Sequence, residues 1–377
     1  MIDWEPLARR LADTVADEID LAPAWRAALE QTPRHRFVPH YWDLDSYNRP
    51  ADLVDGADPQ QRKRWLDACY SNRVLITQWC GQGGRRIITS SASLPSLVTH
   101  MLTLLDVHDG DRMLEIGTGT GYNTALLCHR LGDKQVATVD IDPVLVAEAQ
   151  SRLNRLGHHP VVEAGDGAAG VPATAPFDRI LSTGSAGRMP AAWIDQLADD
   201  GLIVAPLTVG GALAVLRKAG DREVSGHLDG EQAYFMPLHE AGQPMPDGYL
   251  VDMPQPRSAD LQHRTTTDVP PTAWADPDFR LWLAIHLPEG HLADLANGDF
   301  ERTGVVIYTG TARASVTYAT GEVVQDQAGL WERVEAAWQA WQDHGHPTRT
   351  RLGITAQAGG EQWVWLDRPG QALPHAV

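Results

Sequence analysis

Arg112-Met-Leu-Glu-Ile-Gly-Thr-Gly-Thr-Gly-Tyr122 is the stretch on which the reading of this 377-residue chain turns. Met113, Leu114 and Ile116 form a short apolar run of the kind a buried strand needs. Three glycines at alternate positions, Gly117, Gly119 and Gly121, follow at once. Glycine adopts turn conformations closed to other residues and lets a ligand come close to the backbone. The helical pattern from Tyr122 to Leu131 then aims the unpaired N–H groups of a helix start at whatever rests on the loop.

The spacing is G-x-G-x-G, not the G-x-G-x-x-G of dinucleotide binders, and Glu115 stands two residues before the first glycine. This combination points to S-adenosylmethionine (SAM) rather than to a nicotinamide dinucleotide. A second apolar run, Val136-Ala-Thr-Val-Asp140, ends in a carboxylate about twenty residues on, where a doubly wound fold sets an acid against ribose hydroxyls. Asp140 is therefore the expected ribose ligand, and Asp142, followed by Pro143, the expected cap of the next helix. A third strand runs into Gly165-Asp166-Gly167. Asp166 reads either as an acceptor for an adenine amino group or as part of a plain turn. Phe177 to Leu181 and Gly201 to Pro206 supply two more strands. The alternation of strand and helix from 100 to 206 predicts an α/β fold with a doubly wound, Rossmann-like parallel sheet.

Six pieces stand in a fixed order: Phe37-Val-Pro39, Ser93-Leu-Pro95, Met101-Leu-Thr-Leu-Leu105, Leu114 to Tyr122, Gly165-Asp-Gly167 and Gln196 to Pro206. In that order they resemble the protein-L-isoaspartate O-methyltransferases over roughly residues 1–215. The resemblance implies a SAM-dependent methyltransferase that esterifies an aspartyl-type carboxylate of a peptide or protein. It further implies a cofactor set of Glu115, Gly117, Thr118, Gly119, Gly121, Tyr122, Asp140, Ile141, Asp166 and Gly167. The family's Thr-Ile-Ser element, aligned through Pro95 and Met101-Leu102, puts its serine on Ser93 and its threonine on Ser91. Ser93 is the expected contact for the reacting carboxylate; alternatively it caps the helix that begins at Pro95.

Composition narrows the classes. A formal charge of -18 argues against a nucleic-acid surface, which needs clustered Arg and Lys. Cys69, Cys80 and Cys128 lack C-x-x-C spacing, and an odd number favours reduced thiols. No apolar run approaches the eighteen or so residues that cross a bilayer, and no signal peptide opens the chain, so a cytoplasmic protein without membrane contact is expected. His35 and His40 have no second cluster to complete a metal site, and no metal is expected.

Residues 1–80 are read as N-terminal helices followed by a substrate entrance, 81–235 as the methyltransferase core, 236–277 as a Pro-rich linker and 278–377 as a smaller C-terminal α+β domain. Within the first region, 1–31 carries two helical stripes, 41–70 reads as polar and irregular, Val74 to Gln78 as a strand and Gly81 to Arg86 as a mobile loop. In the last, Phe279 to His286 reads as a strand, Leu330 to Trp341 as an amphipathic helix and Ile354 to Leu366 as a closing hairpin. Seven of the 13 Trp lie from Trp274 onward. Core packing is their first reading and an exposed peptide-binding surface the second. In having such an extension the chain resembles the members that tailor ribosomally made peptides, ATP-grasp-crosslinked peptides and lanthipeptides among them. There an ordinary Asp is esterified and collapses to aspartimide. Repair of isoaspartate is the alternative.

Overall fold

A computed structural model of the chain describes residues 2–45, 49–82, 85–239, 263–298, 301–310, 312–326 and 329–373. Helices α1 (Glu5–Glu18) and α2 (Pro23–Gln31) bury the expected stripes, Ala8, Leu11 and Val15 on one and Trp25, Ala28 and Leu29 on the other. The region read as irregular is in fact ordered. Strands β1 (His40–Leu44) and β2 (Pro50–Asp55), helix α3 (Arg62–Cys69) and strands β3 (Leu75–Gln82) and β4 (Arg85–Ala92) follow one another. The strands form an antiparallel sheet in the order β2-β1-β3-β4. Pro50 misleads because it opens an edge strand, the one place in a sheet where a missing N–H costs little. The expected loop at 81–86 narrows to a hairpin tip, with Gln82 opposite Arg85 and residues 83–84 outside the described set.

Helix α4 (Pro95–Leu104) leads into the core: β5 (Met113–Ile116), α5 (Tyr122–Leu131), β6 (Val136–Asp140), α6 (Pro143–Arg155), β7 (Val161–Ala164), β8 (Phe177–Ser182), α7 (Ala191–Gln196), β9 (Leu197–Pro206), β10 (Leu213–Gly220) and β11 (Glu223–His227). Strands β9, β8, β5, β6 and β7 are parallel neighbours in that order. The chain thus starts at β5, builds outward to one side through β6 and β7, then crosses back to β8. This is the topological switch point of a doubly wound sheet, and a crevice opens there at the strands' carboxyl ends.

Of the expected linker, 240–262 lies outside the described residues. Beyond it β12 (His263–Thr266), α8 (Pro271–Ala275), α9 (Pro277–His286), β13 (His291–Ala296), β14 (Arg302–Tyr308), β15 (Arg313–Thr317), β16 (Glu322–Gln325) and α10 (Leu330–Asp343) build a five-stranded antiparallel sheet, ordered β12-β16-β15-β14-β13, with three helices. Two expectations are corrected here. Residues 279–286 are helical, because Asp276 caps the amides of Asp278 and Phe279 at 2.8 and 3.3 Å and Pro277 occupies the first turn. Apolar on nearly every face, that segment has no periodicity to tell helix from strand. The closing hairpin, β17 (Leu352–Gln357) and β18 (Gln362–Leu366), leaves the C-terminal unit and extends the core sheet. There Val224 of β11 pairs with Ala356 and Gly226 with Ile354.

Trp274, Trp282 and Trp331 are fully buried, and one apolar cluster runs from them into Ile203, Leu216 and Ile354 of the core sheet. Trp341 and Trp365 are buried as well, so five of the seven C-terminal tryptophans are core, while Trp338 and Trp363 are half-buried.

Candidate active site

At the switch point, β5 is buried along its whole length and hands over to a loop that only glycine accommodates. Gly117 has φ +93°, and a Cβ on it would lie 2.6 Å from the Thr183 hydroxyl oxygen. Gly121, at φ +86°, would set a Cβ 3.1 Å from that of Ala149. The first packs the loop against the end of β8, the second packs the start of α5 against α6. Asp140, at the end of β6, accepts from the Gly119 amide at 2.8 Å and from the Asp142 amide at 3.1 Å. Burial pushes its carboxyl above the usual range, and those amides pull it back. Asp142 caps α6 through the amides of Val144 and Leu145. The ends of β5 and β6 are thus joined through one carboxylate.

Glu115 lies beneath the loop and fully buried. It accepts from Asn123 Nδ2 at 2.7 Å and from the Thr124 hydroxyl at 2.5 Å, tying β5 to the first turn of α5. Burial raises its carboxyl to about 7, against hydrogen bonds from Thr124, Thr138 and Asn123 that lower it. The folded protein therefore holds this proton between pH ~4.5 and ~7, where the unfolded chain has lost it. A carboxyl raised in this sense gives stability that is present below its unfolded value and lost as pH rises through 7. By linkage this is on the order of 3 kcal/mol. Glu115→Gln keeps an acceptor for Thr124 and a donor for Asn123 Oδ1, which has no partner among the described residues. Urea unfolding at pH 5 and pH 8 is expected to show wild type losing stability across that interval and the variant losing about 2 kcal/mol less. Equal losses would place the proton elsewhere.

Over the glycine loop lies the entrance sheet. A cleft opens between them, lined by Thr89 to Ser93 above and by Gly117 to Thr120, Tyr122, Asn123 and Asp140 below. Gln78 of β3 bridges the two layers. Its Oε1 accepts from Thr89 at 2.7 Å, and its Nε2 donates to Asp142 at 2.9 Å. Ser93 stands between β4 and α4. It does not cap that helix, whose flanking residue Leu94 makes no side-chain cap. Its carbonyl is held instead by Arg34, a guanidinium with no exposure to solvent. Arg34 also donates to the carbonyls of Cys69, Ser71 and Arg73 at 3.1 Å and to Ala92 at 3.4 Å, with Ser93 at 3.0 Å. Five carbonyls thus take the place of a carboxylate, and burial lowers the pKa of the group. Beside it His35, edge-on to Trp65 and tilted against Trp4 and Tyr70, is held neutral by burial at a pKa of about 4.

The cleft brings together Ser91, Ser93, Gly117, Thr118, Gly119, Tyr122 and Asp140. Glu115, Gly121, Ile141, Asp166 and Gly167 stand outside its lining. Gly121 starts α5, Gly167 packs on Ile116, and the exposed Asp166 accepts from the Ala168 amide at 2.9 Å. The structure adds Thr89, Ser90, Thr99, Asn123, Thr183 and Met236 to the lining. Thr183 was open to inference, since it directly follows β8; the others carry no signal in the sequence. Buried polar atoms of Thr99, Tyr122 and Asn123 have no hydrogen-bond partner among the described residues. Polar atoms left over beside the cleft fit a polar, nucleoside-bearing cofactor. Among the described residues Cys128, Asp133 and His158 also gather within 4.8 Å, at the far end of β6 from the cleft. The thiol is pushed up by burial, and His158 is hydrogen-bonded to Asp133 at 3.0 Å, so the group serves as a brace. No helix among the described residues is long and apolar enough to cross a membrane.

Residues 16–243 match the family model described as protein-L-isoaspartate(D-aspartate) O-methyltransferase. The chain is 40% identical over 152 residues to the protein-L-isoaspartate O-methyltransferase of Fervidobacterium nodosum, covering 39% of this chain and 74% of that one. It is 32% identical over 208 residues to protein-L-isoaspartate O-methyltransferase 1 of Archaeoglobus fulgidus, covering 55% and 82%. A solved protein-L-isoaspartate O-methyltransferase shares the fold at 19% identity with a TM-score of 0.54, over 96% of this chain and all of the other. The match of more than half the chain, with the glycine loop, the β6 carboxylate and the serine-bearing entrance around one cleft, makes this chain a member of the protein-L-isoaspartate O-methyltransferase family, built on the SAM-dependent methyltransferase fold.

Proposed function

We propose that the cleft binds SAM and that the enzyme esterifies the side-chain carboxylate of an aspartyl or isoaspartyl residue in a polypeptide. The observation that carries this reading is Ser91 and Ser93 facing the glycine loop and Asp140 across a single cleft. When bound, SAM supplies an electrophilic methyl group on a cationic sulfur, which a carboxylate accepts without losing a proton. The chain's own task is therefore to bind and to align. Asp140 would hold ribose hydroxyls, Gly117 to Gly119 give the backbone the closeness the cofactor needs, and Asp166 would meet its adenine end. Ser93 would donate to one oxygen of the reacting carboxylate, leaving the other to attack, with Ser91 beside it. Arg34 fixes the backbone from which Ser93 projects. Alignment of this kind supplies several kcal/mol of a barrier without acid-base chemistry. An aspartyl ester so formed loses methanol when the following backbone nitrogen attacks it, giving a succinimide.

Ser93→Ala is expected to lower kcat about 10²-fold, the cost of one aligned donor, while the SAM Kd stays within twofold. Titration calorimetry and steady-state rates together check this. A weakened SAM Kd with unchanged kcat would move Ser93 to the cofactor.

Two substrates fit the reading. Isoaspartyl residues of damaged proteins have the names of the relatives behind them. An ordinary Asp in a ribosomally made precursor peptide, esterified and cyclised to aspartimide, is favoured by the Trp-bearing entrance sheet built from residues 40–92. The C-terminal unit does not argue for it, since most of its tryptophans are buried and a solved isoaspartate methyltransferase matches the fold over almost the whole chain. Mass spectrometry with an isoaspartyl peptide and the Asp-containing peptide encoded nearest the gene decides. Methylation and water loss on the encoded peptide alone would establish tailoring, and labelling of the isoaspartyl peptide alone would establish repair.

A further inference from the structure

One row of residues crosses the entrance sheet and ends in the cleft. Leu53 of β2 lies directly opposite Trp42 of β1, Trp42 opposite Ile76 of β3, and Ile76 opposite Ser91 of β4. Residues directly opposed across antiparallel strands point to the same face. Leu53, Trp42 and the buried Ile76 therefore share one face with Ser91, a residue of the cleft lining. Trp79 stands edge-on to Trp42 at 5.6 Å, and the guanidinium of Arg86 lies 5.3 Å from the centre of the Trp79 ring. Trp42 and Trp79 are only half-buried, and Leu53 is 42% exposed. Leu44 and Val74, also on this sheet or at its border, are exposed to 42% and 45%. An exposed apolar face rimmed by charge is a docking feature when it is continuous with a site.

We infer that this face docks the substrate polypeptide, and that its occupant is an extended segment carrying an aliphatic or aromatic side chain about three residues from the reacting aspartyl. The spacing comes from the sheet itself. Strands lie about 4.8 Å apart, so Trp42 is some 10 Å from Ser91 across the sheet, and an extended chain rises about 3.3 Å per residue. Three residues bridge that gap, and four to five reach Leu53. Arg86 on the Trp79 ring adds a cation beside the same face, which suits an acidic residue near the apolar one and disfavours a basic one. The inference rests on the reading of the enzyme as acting on an aspartyl-type carboxylate in a polypeptide.

The test uses the full chain saturated with S-adenosylhomocysteine and fluorescein-labelled isoaspartyl peptides. One has Phe three residues to either side of the isoaspartyl, and the other has Ser at those positions. Fluorescence anisotropy is expected to give wild type about a tenfold preference for the Phe peptide, the value of burying part of one ring. In Leu53→Asp and in Trp42→Ala that preference is expected to fall below twofold, with the S-adenosylhomocysteine affinity unmoved. Leu53 is exposed, so its variant keeps the test valid if Trp42→Ala unfolds. Equal affinity of wild type for the two peptides, or an equal preference in wild type and Leu53→Asp, would overturn the docking face. Methylation of the peptides is scored separately. A Phe preference in binding without methylation of either peptide would leave the docking face standing and remove the proposed reaction. Methylation without a Phe preference would do the reverse.

Discussion

Asp140→Ala is expected to weaken SAM binding by one to two orders of magnitude. A hydrogen bond to a charged acceptor is worth roughly 1.5–3 kcal/mol, or about 10- to 150-fold in affinity. The carboxylate has two tasks, and the substitution removes both. It would lose its bonds to the ribose, and it would release the Gly119 and Asp142 amides that it now accepts, so the glycine loop loses its tie to β6. Asp140→Asn separates the two. One amide oxygen still accepts from Gly119, and the loop stays in register, while the charge-assisted contact is gone. The Asn variant should therefore recover part of the affinity, with the Ala variant the weaker of the two. Calorimetric titration of SAM reads both values. An Ala variant that binds within twofold of wild type would remove Asp140 from the site.

Arg34→Leu is expected to lower Tm by about 5 °C. Removing the guanidinium takes its donors from the carbonyls of Cys69, Ser71, Arg73, Ala92 and Ser93, of which Ser71 still accepts from the Arg73 amide at 2.9 Å. Each unsatisfied buried group costs roughly 1–3 kcal/mol. Against this, the leucine removes a buried cation that has no carboxylate partner, and that gain is of the same kind. Water will reach the partly exposed carbonyls of Ser71 and Arg73, so a net loss of about 3–4 kcal/mol is the expectation, at roughly 1–1.5 °C per kcal/mol in a chain of this size. Arg34→Lys retains charge and some donors but not the planar fork that spans two chain segments. It should be the milder variant in Tm, yet still lower kcat through Ser93 while SAM affinity holds. A purely structural role for Arg34 would move Tm and leave the turnover of the folded fraction alone. Differential scanning calorimetry with rates corrected for folded fraction distinguishes these outcomes, and a Tm shift under 2 °C for the leucine variant would show that the five bonds carry little.

The switch-point half of the site was legible because backbone chemistry writes it into sequence. Positive-φ glycines, a strand that must be apolar on both sides and a capping Asp-Pro leave few alternatives. The entrance sheet was legible only at Val74 to Gln78, which falls on β3. Strands β1 and β2 are short, and Pro50 opens β2 at an edge where proline is tolerated. Helix α9 was missed for the opposite reason, since Phe279 to Ile285 is apolar on almost every side and fits a strand as well as a helix. The final hairpin reads correctly as a hairpin, but nothing local tells it to join β11 instead of the neighbouring sheet. That choice depends on the free edge of β11, a property of the whole fold. Arg34 left no mark at all. A buried arginine bonded to carbonyls has the same letter as a solvated one, and only its five partners, spread over residues 69–93, reveal it. Glu115 shows the same limit in the other direction, because its place before the glycines suggested contact with the cofactor, whereas the fold sets it under the loop.

The proposed reaction is transfer of a methyl group, in this cleft, to an aspartyl-type carboxylate. Incubation of the purified chain with methyl-labelled SAM and a synthetic isoaspartyl peptide, followed by mild base, tests it directly. Label that appears on the peptide and is released as methanol, with succinimide left behind, is the result this account predicts. Label that stays on the peptide through base, or none on an isoaspartyl or aspartyl peptide while SAM still binds the cleft, would contradict it.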